Sequence, residues 1–393
     1  MIRILFVHHV SIVGGASYCL LNLLKEIDRK KYEPIVLLAS QGSLVQEIEK
    51  LGIEIRFMPQ LCTVPYNVSF FCYSTILAYL RVYFSLKQMN QMLIDVKPDI
   101  LYLNNSMLYP YLKVACKKGI RTVLHIREHW PMDEHRIQFY WFQKNIHHYS
   151  DHIVAINEYS AQMVPMAVEK TTVIYDWIDF ADRYKKYDLN VLIGEDISDK
   201  KIFLYTGGMQ AIKGALEVFE AFSSICGDEC RLLALGAKRE IEFSGLNGLV
   251  KKILKVFGYK VKSIKIVEAL KRDKRIICIP ATYALKDIIE KSYCVLSFFT
   301  IPHANLTLAE SIILKVPIIA ARTEEAEEYA GRGQYALLFD LKNKEQFEQI
   351  LANIDNFRVP LIRRLTEGSA LIADKFDKKR NSEIFRYVLD HLK

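Results

Sequence analysis

The sequence predicts an α/β chain of two domains, each built on a parallel sheet. Three observations predict it. Apolar runs of strand length alternate with amphipathic helical stretches along the whole chain. Two strand-like runs, beginning at Ile2 and Ile202, lead through glycine pairs (Gly14-Gly15 and Gly207-Gly208) into helical stretches. And 393 residues exceed what a single core organises.

Composition narrows the class. Hydrophobic residues make up 51% of the chain and charged residues 25%, so the chain is globular rather than disordered. Eight cysteines are scattered, mostly inside apolar segments. Cys226 and Cys230 have no second pair at metal-ligand spacing, which argues against zinc and against a disulfide framework and for a cytoplasmic location. Ile2 to Val7 enters a strand directly and shows no leader-peptide pattern. The stretch Val68 to Leu86 is the nearest to a membrane span, but it carries Arg81 and several tyrosines. A long, buried or interfacial helix is expected there instead.

In order, Ile2 to Val7 reads as a central strand buried on both faces. The turn from His8 to Ser17 follows, then a helix carrying Leu20, Leu21, Leu23, Leu24 and Ile27 on one face. Gly14-Gly15 would let backbone amides approach a phosphate, although any tight βα turn uses such a pair. Strands are expected at Pro34 to Ala39, Ile53 to Met58, Asp99 to Leu103, Thr122 to Ile126, His152 to Ile156 and Thr172 to Tyr175. Helices are expected at Ser43 to Leu51 and Ser74 to Ile94. Asn104-Asn105 closes one strand where α/β proteins place ligand groups. The polar stretch Asp182 to Lys201 reads as the linker. These readings divide the chain into residues 1–180, a linker 181–200, and a second domain 201–375. The last segment, 376–393, is expected to be a helix packing back on the first domain.

The second domain repeats the plan, with strands at Ile202 to Tyr205, Arg231 to Leu235 and Arg275 to Ile279. Lys238 to Arg275 stands apart. It holds twelve Lys or Arg against four acids, an excess equal to the whole chain's net charge of +8. Interleaved apolar residues make an anionic membrane surface one partner for it; a solvated basic insertion is the other reading. Nucleic acid is not expected, since no recognition motif accompanies the charge. Cys294 to Phe299 and Ile318 to Ala321 read as strands flanking a polar loop and a short helix. The free amides at the start of that helix, around Asn305, Leu306 and Thr307, favour an anion, and Glu310 follows one turn in. Glu310 either meets ribose hydroxyls or is a solvated helix residue.

Five places together resemble the retaining glycosyltransferases of family 4. They are Val13-Gly14-Gly15-Ala16; Leu124-His125-Ile126-Arg127-Glu128; Val173-Ile174-Tyr175-Asp176-Trp177-Ile178-Asp179; Tyr205-Thr206-Gly207-Gly208 with Lys213-Gly214; and Ala309-Glu310 with Val316-Pro317-Ile318-Ile319-Ala320. The resemblance implies the GT-B fold, two Rossmann-like parallel-sheet domains facing across a cleft. It implies transfer of a sugar from a nucleotide-sugar donor to a glycan or lipid-linked acceptor, with retention at the anomeric carbon. The setting would be cell-surface polysaccharide or lipopolysaccharide assembly, in the cytoplasm and peripherally on the inner face of the cell membrane. It gives catalytic places to His125, Lys213 and Glu310. Donor binding falls to Gly14, Gly15, Gly208, Lys213, His303, Asn305, Leu306, Thr307 and Glu310. Lys213 would offset diphosphate charge, Glu310 would hold the ribose, and His125 would sit beside the transferred sugar. No metal or other cofactor is implied, and no Asp-x-Asp ligand pair is present.

The sequence also departs from that family. Pro302 stands where a second glutamate is usual, so His303, Asn305 or loop amides would orient the sugar. Gly208-Met209 stands where an arginine often follows the turn, and Tyr175-Asp176-Trp177 replaces a small turn. These departures keep two alternatives open: a sugar-nucleotide epimerase of the same fold, and a non-catalytic nucleotide-sugar-binding partner.

Overall fold

The computed structural model describes residues 1–66, 68–130, 136–181, 185–240, 262–282 and 284–392. The chain forms two compact units. One comprises Met1–Trp177 with Phe376–Lys393, the other Ile178–Lys375.

The first unit carries a seven-stranded parallel sheet. Its strands are β1 (Ile2–Val7), β2 (Tyr32–Leu38), β3 (Glu54–Phe57), β4 (Ile100–Leu103), β5 (Arg121–Ile126), β6 (His152–Ala155) and β7 (Thr171–Val173). Their spatial order is β3-β2-β1-β4-β5-β6-β7. In β1 the side chains alternate between two cores: Leu5 and Val7 enter one, Ile4 and Phe6 the other. A strand buried on both faces needs an unbroken apolar run, and β1 has one. The helices Tyr73–Val96 and Arg136–Tyr149 cover the Leu5 face. Gly15–Lys25, Ser43–Lys50 and Lys378–His391 cover the other. The C-terminal helix is bound to that face by more than apolar contact. Asp390 accepts from Lys31 and from Tyr32 Oη, and Asn381 Oδ1 accepts from the Tyr175 amide at 3.0 Å.

The second unit carries six parallel strands, β8 (Lys201–Tyr205), β9 (Cys230–Leu235), β10 (Ile276–Ile279), β11 (Cys294–Ser297), β12 (Ile318–Arg322) and β13 (Leu337–Asp340). Their order is β10-β9-β8-β11-β12-β13. Each sheet therefore reverses its direction of growth once, between β1 and β4 and between β8 and β11. Such switch points open a crevice at the carboxyl ends of the strands, where doubly wound sheets bind ligands.

The structure corrects several readings of the sequence. β13 carries a short apolar run beside charged turns and was not expected. Residues 185–200 are not only a tether. They contain the helix Leu189–Ile193 and belong to the second unit, where the Tyr187 amide donates to Asp287 at 2.7 Å. Of the basic segment 238–275, residues 241–261 lie outside the described residues. Its end forms the helix Lys262–Arg272, whose Ile266, Ala269 and Leu270 join the second unit's core. The apolar face of that helix is buried, and its lysines and arginines face solvent. Among the described residues no helix is long and apolar enough to cross a membrane.

Candidate functional site

At the first switch point, polar side chains follow directly on apolar strands, and burial forces them to pair with each other. Arg127, one residue past the end of β5 and two past His125, is buried and donates from Nη1 to Asp176 at 2.5 Å. Its Nε donates to Asn104 Oδ1 at 3.3 Å, just past β4. A guanidinium can only donate, so this contact fixes the orientation of the Asn104 amide. The Asn104 Nδ2 then donates to His8 Nδ1 at 3.2 Å, which leaves the His8 proton on Nε2. That Nε2 donates to Ser17 Oγ at 3.1 Å, and Ser17 Oγ donates to the Ile12 carbonyl at 2.8 Å. One directed chain thus runs from Asp176 to the glycine turn that opens the helix Gly15–Lys25. Burial, then the nearby His9 and Arg127, keep His8 neutral well below the ordinary histidine range.

The same logic settles His125, which is 1% exposed in β5. Tyr102 Oη lies 2.9 Å and Arg127 Nη2 3.4 Å from its Nδ1. With a guanidinium beside it, Nδ1 is an acceptor and the proton sits on Nε2. That buried Nε2 has no hydrogen-bond partner among the described residues. Leaving a buried donor unpaired costs about 1–3 kcal/mol, so a ligand oxygen arriving there would be stabilised. Burial, and then the charge of Arg127, hold the ring neutral. For Arg127 itself burial favours the neutral form, but the Asp176 carboxylate outweighs it and keeps the guanidinium charged.

Glu128 sits beside this chain and is buried as well. It accepts from Asn105 Nδ2, from the Ser106 amide at 2.9 Å and from Ser106 Oγ. Burial pushes its carboxyl up to about 7, against the lowering effect of the Ser106 hydrogen bonds. Trp130 Nε1 donates to the same Ser106 Oγ at 2.8 Å, and its indole stacks on Phe142. Gly14 and Gly15 stand at the mouth of the helix with open space where a Cβ would be. Nothing in the fold requires glycine at either position, and their bare backbone leaves room for another molecule.

The second switch point is built from backbone rather than from charge. After β8 come Gly208 at φ +62° and Gly214 at φ +68°, both in the left-handed region that glycine supplies without strain. A Cβ on Gly214 would lie 2.0 Å from the Phe298 carbonyl oxygen, so the two loops touch through bare backbone. Two further bonds join the segments that follow β8 and β11: the Thr300 amide donates to the Ile212 carbonyl at 2.9 Å, and the Thr206 and Thr307 hydroxyls meet at 3.1 Å. Within the first of them Tyr205 Oη donates to the Lys213 carbonyl at 3.1 Å. Asn305 caps the helix Leu306–Ile313 by accepting from the Leu308 amide, while its Nδ2 donates to Ser297 Oγ at 2.7 Å.

Lys213 closes a short 3₁₀ turn, Ala211–Lys213, in this loop. Its ammonium lies 6.0 Å from the centre of the Phe299 ring, and the His303 ring packs 5.2 Å from the same ring. Among the described residues no carboxylate pairs with it, and burial alone lowers its pKa. Glu310 is 2% exposed, which removes the reading of it as a solvated helix residue.

The expected site residues therefore fall into two groups. Lys213 and His303 meet around Phe299, Thr307 is joined to Thr206 two residues before Gly208, and Asn305, Leu306 and Glu310 belong to the helix that Thr307 helps open. Gly14, Gly15 and His125 belong to the first unit. Sequence reasoning marked Asn104 as a strand-end amide where ligands bind, but did not assign His8, Arg127, Glu128 or Asp176 to the site. The available signal was position: His8, Arg127 and Glu128 each follow closely on an apolar strand run.

Two parallel Rossmann-like sheets in one chain define the GT-B class of fold. Comparison with known proteins agrees. Residues 13–182 match the family model described as Glycosyltransferase Family 4, which spans less than half of the chain. No curated protein matches the sequence. Among solved structures, Anabaena Alr3699/HepE in complex with UDP and glucose aligns at a TM-score of 0.74 and 15% identity, covering 100% of both chains. Sucrose-phosphate synthase (tll1590) from Thermosynechococcus elongatus aligns at 0.71 and 9% identity, over 100% of this chain and 99% of its own. A trehalose-6-phosphate protein from E. coli bound with UDP-2-fluoro glucose aligns at 0.70 and 12% identity, over 99% of each.

Proposed function

We propose that the chain is a glycosyltransferase that takes a sugar from a uridine-diphosphate donor and delivers it to a glycan or lipid-linked acceptor. The observation that carries this reading is Lys213: a half-buried cation with no carboxylate partner among the described residues, seated at the strand ends of a Rossmann-like sheet. A buried ammonium without a partner is a standing cost that a diphosphate relieves. The match to a glycosyltransferase family model over residues 13–182 supports the reading, as do structural neighbours solved with UDP, UDP-glucose and UDP-2-fluoro glucose.

In this reading Lys213 neutralises the departing diphosphate and Glu310 holds the ribose. The Nε2–H of His125 donates to a hydroxyl of the transferred sugar. Transfer is of a hexose and proceeds with retention: the acceptor hydroxyl attacks on the leaving-group face and a phosphate oxygen takes its proton. Such a reaction rests on positioning and on fixed dipoles, and it needs no metal. Polysaccharide or lipopolysaccharide assembly is the proposed setting.

A thermal-shift series against nucleoside diphosphates and their sugars tests this directly. Ligand at 100 times its dissociation constant adds about 2.7 kcal/mol. Stabilisation by UDP that disappears in Lys213→Ala, together with transfer from one UDP-sugar, is the expected result. Interconversion of the free sugar nucleotide without an acceptor would point to an epimerase instead. Tight UDP binding with no turnover of any donor would point to a binding protein.

A further inference from the structure

We propose that the first unit docks on an anionic lipid membrane through the outer faces of the helices Tyr73–Val96 and Arg136–Tyr149. This is independent of the transfer chemistry, and it moves the membrane contact away from the basic segment 238–275. Both helices cover the same face of the first sheet, and they are coupled through Tyr109, whose hydroxyl meets Tyr79 Oη at 3.1 Å and whose ring packs on Phe142. The longer helix is apolar on two sides. Val82, Met89 and Leu93 fill the core, while Tyr73, Leu80, Tyr83 and Phe84 point to solvent at i, i+7, i+10 and i+11. On the shorter helix Tyr140 and Trp141 are exposed beside buried Phe142. Ten of the twenty exposed large apolar side chains among the described residues lie on these two helices or at Phe71 just before them.

A soluble surface rarely concentrates so many without a partner. Two features select lipid over protein. The exposed side chains are largely Tyr, Trp and Phe, whose amphipathic rings suit the headgroup layer. The charges within the two helices are almost all of one sign: Arg81, Lys87, Arg136 and Lys144 are exposed, and the single carboxylate is Asp95. Asp95 lies eleven residues beyond Phe84, about 16 Å along the helix. Stable attachment takes two signals, inserted apolar groups and basic charge. The helix Lys262–Arg272 of the second unit offers only the second, because its apolar face is core. The two helices of the first unit offer both.

The test is flotation of the full chain with vesicles of phosphatidylcholine alone or mixed with phosphatidylglycerol, with no nucleotide present. Trp130 and Trp177 are buried, so Trp141, at 50% exposure, is the one tryptophan free to report insertion. The chain is expected to float with the anionic vesicles and not the neutral ones, with a blue shift of tryptophan emission. Tyr83→Ser with Phe84→Ser, and separately Arg81→Glu with Arg136→Glu, should each weaken binding at least roughly tenfold. Circular dichroism and the UDP thermal shift serve as controls that both variants fold. Absence of flotation overturns the proposal, as does charge reversal that leaves binding intact. Self-association that the Tyr83/Phe84 variant abolishes would assign this face to a second copy and overturn it too. A failure here leaves UDP binding unaffected, so it is distinguishable from a failure of the glycosyltransferase reading.

Discussion

The two switch points share a topology and solve the problem of a polar strand end in opposite ways. In the first unit, buried charges and amides satisfy one another along a directed chain from Asp176 through Arg127, Asn104 and His8 to Ser17. In the second, glycines and threonines join the loops, and Lys213 has no counter-ion among the described residues. The first end is shaped by its own internal pairing and the second by the absence of side chains. Substitutions in the first should therefore register mainly as stability. In the second they should divide sharply between backbone positions and the one cation.

The largest effect is expected at Gly214. Gly214→Val would place side-chain atoms against the Phe298 carbonyl at a left-handed φ, and the loss should exceed about 5 kcal/mol, beyond most single substitutions. Denaturant unfolding that reports on the second unit would register it. Gly15→Ala at the matching turn of the first unit faces open space and should change stability by no more than about 0.5 kcal/mol. Equal losses at the two glycines would erase the contrast.

Next is the buried pair. Arg127→Ala strands Asp176 and releases the Asn104 amide, at a cost of about 3–5 kcal/mol. Imidazole nitrogen spectra of the variant should also show His8 and His125 losing their fixed Nε2–H form. An unchanged tautomer at His125 would mean that Tyr102 alone sets it.

Glu128 gives a pH signature of somewhat smaller size. An unfolded glutamate releases its proton near 4.5 and the folded one near 7, so the folded state holds the extra proton between those values. Its contribution is therefore full below about pH 4.5 and is lost as pH rises through 7, by about 3 kcal/mol at most. Glu128→Gln should flatten the stability profile across that window. A slope that survives the substitution would assign the titration to another group.

The smallest stability change is expected at Lys213. Lys213→Ala removes a half-buried cation that pairs with no carboxylate among the described residues, so unfolding should move by no more than about 0.5 kcal/mol while UDP no longer stabilises the chain. A large loss of stability would show that the ammonium has a structural partner after all.

Much of the architecture was legible because a strand buried on both faces must be an unbroken apolar run. β1 from Ile4 to Val7, β8 from Ile202 to Tyr205 and β12 from Ile318 to Ala321 are such runs, and β5 is one apart from Thr122 and His125. Periodicity failed where burial was one-sided or the element short. β13 is four residues beside charged turns, and in Lys262–Arg272 the many cations obscure the face that packs into the core. Glycine turns marked both strand ends, but composition could not distinguish Gly214, which a neighbouring carbonyl requires, from Gly15, which nothing in the chain requires. The pairing of Arg127 with Asp176 lies 49 residues apart in sequence and has no local signal. It emerges only once β5 and the end of β7 lie in one sheet.

The return of the C-terminal helix to the first unit has a consequence for biosynthesis. Phe385, Val388 and Leu389 belong to a core whose other members are drawn largely from the first 180 residues. The 198 residues of the second unit intervene. At a translation rate of about 5–20 residues per second, the first sheet waits roughly 10–40 s with one face incompletely covered. The nascent chain thus exposes the Ile4 and Phe6 side of its sheet while the second unit is still being made. That interval is the period in which a chaperone would be needed most.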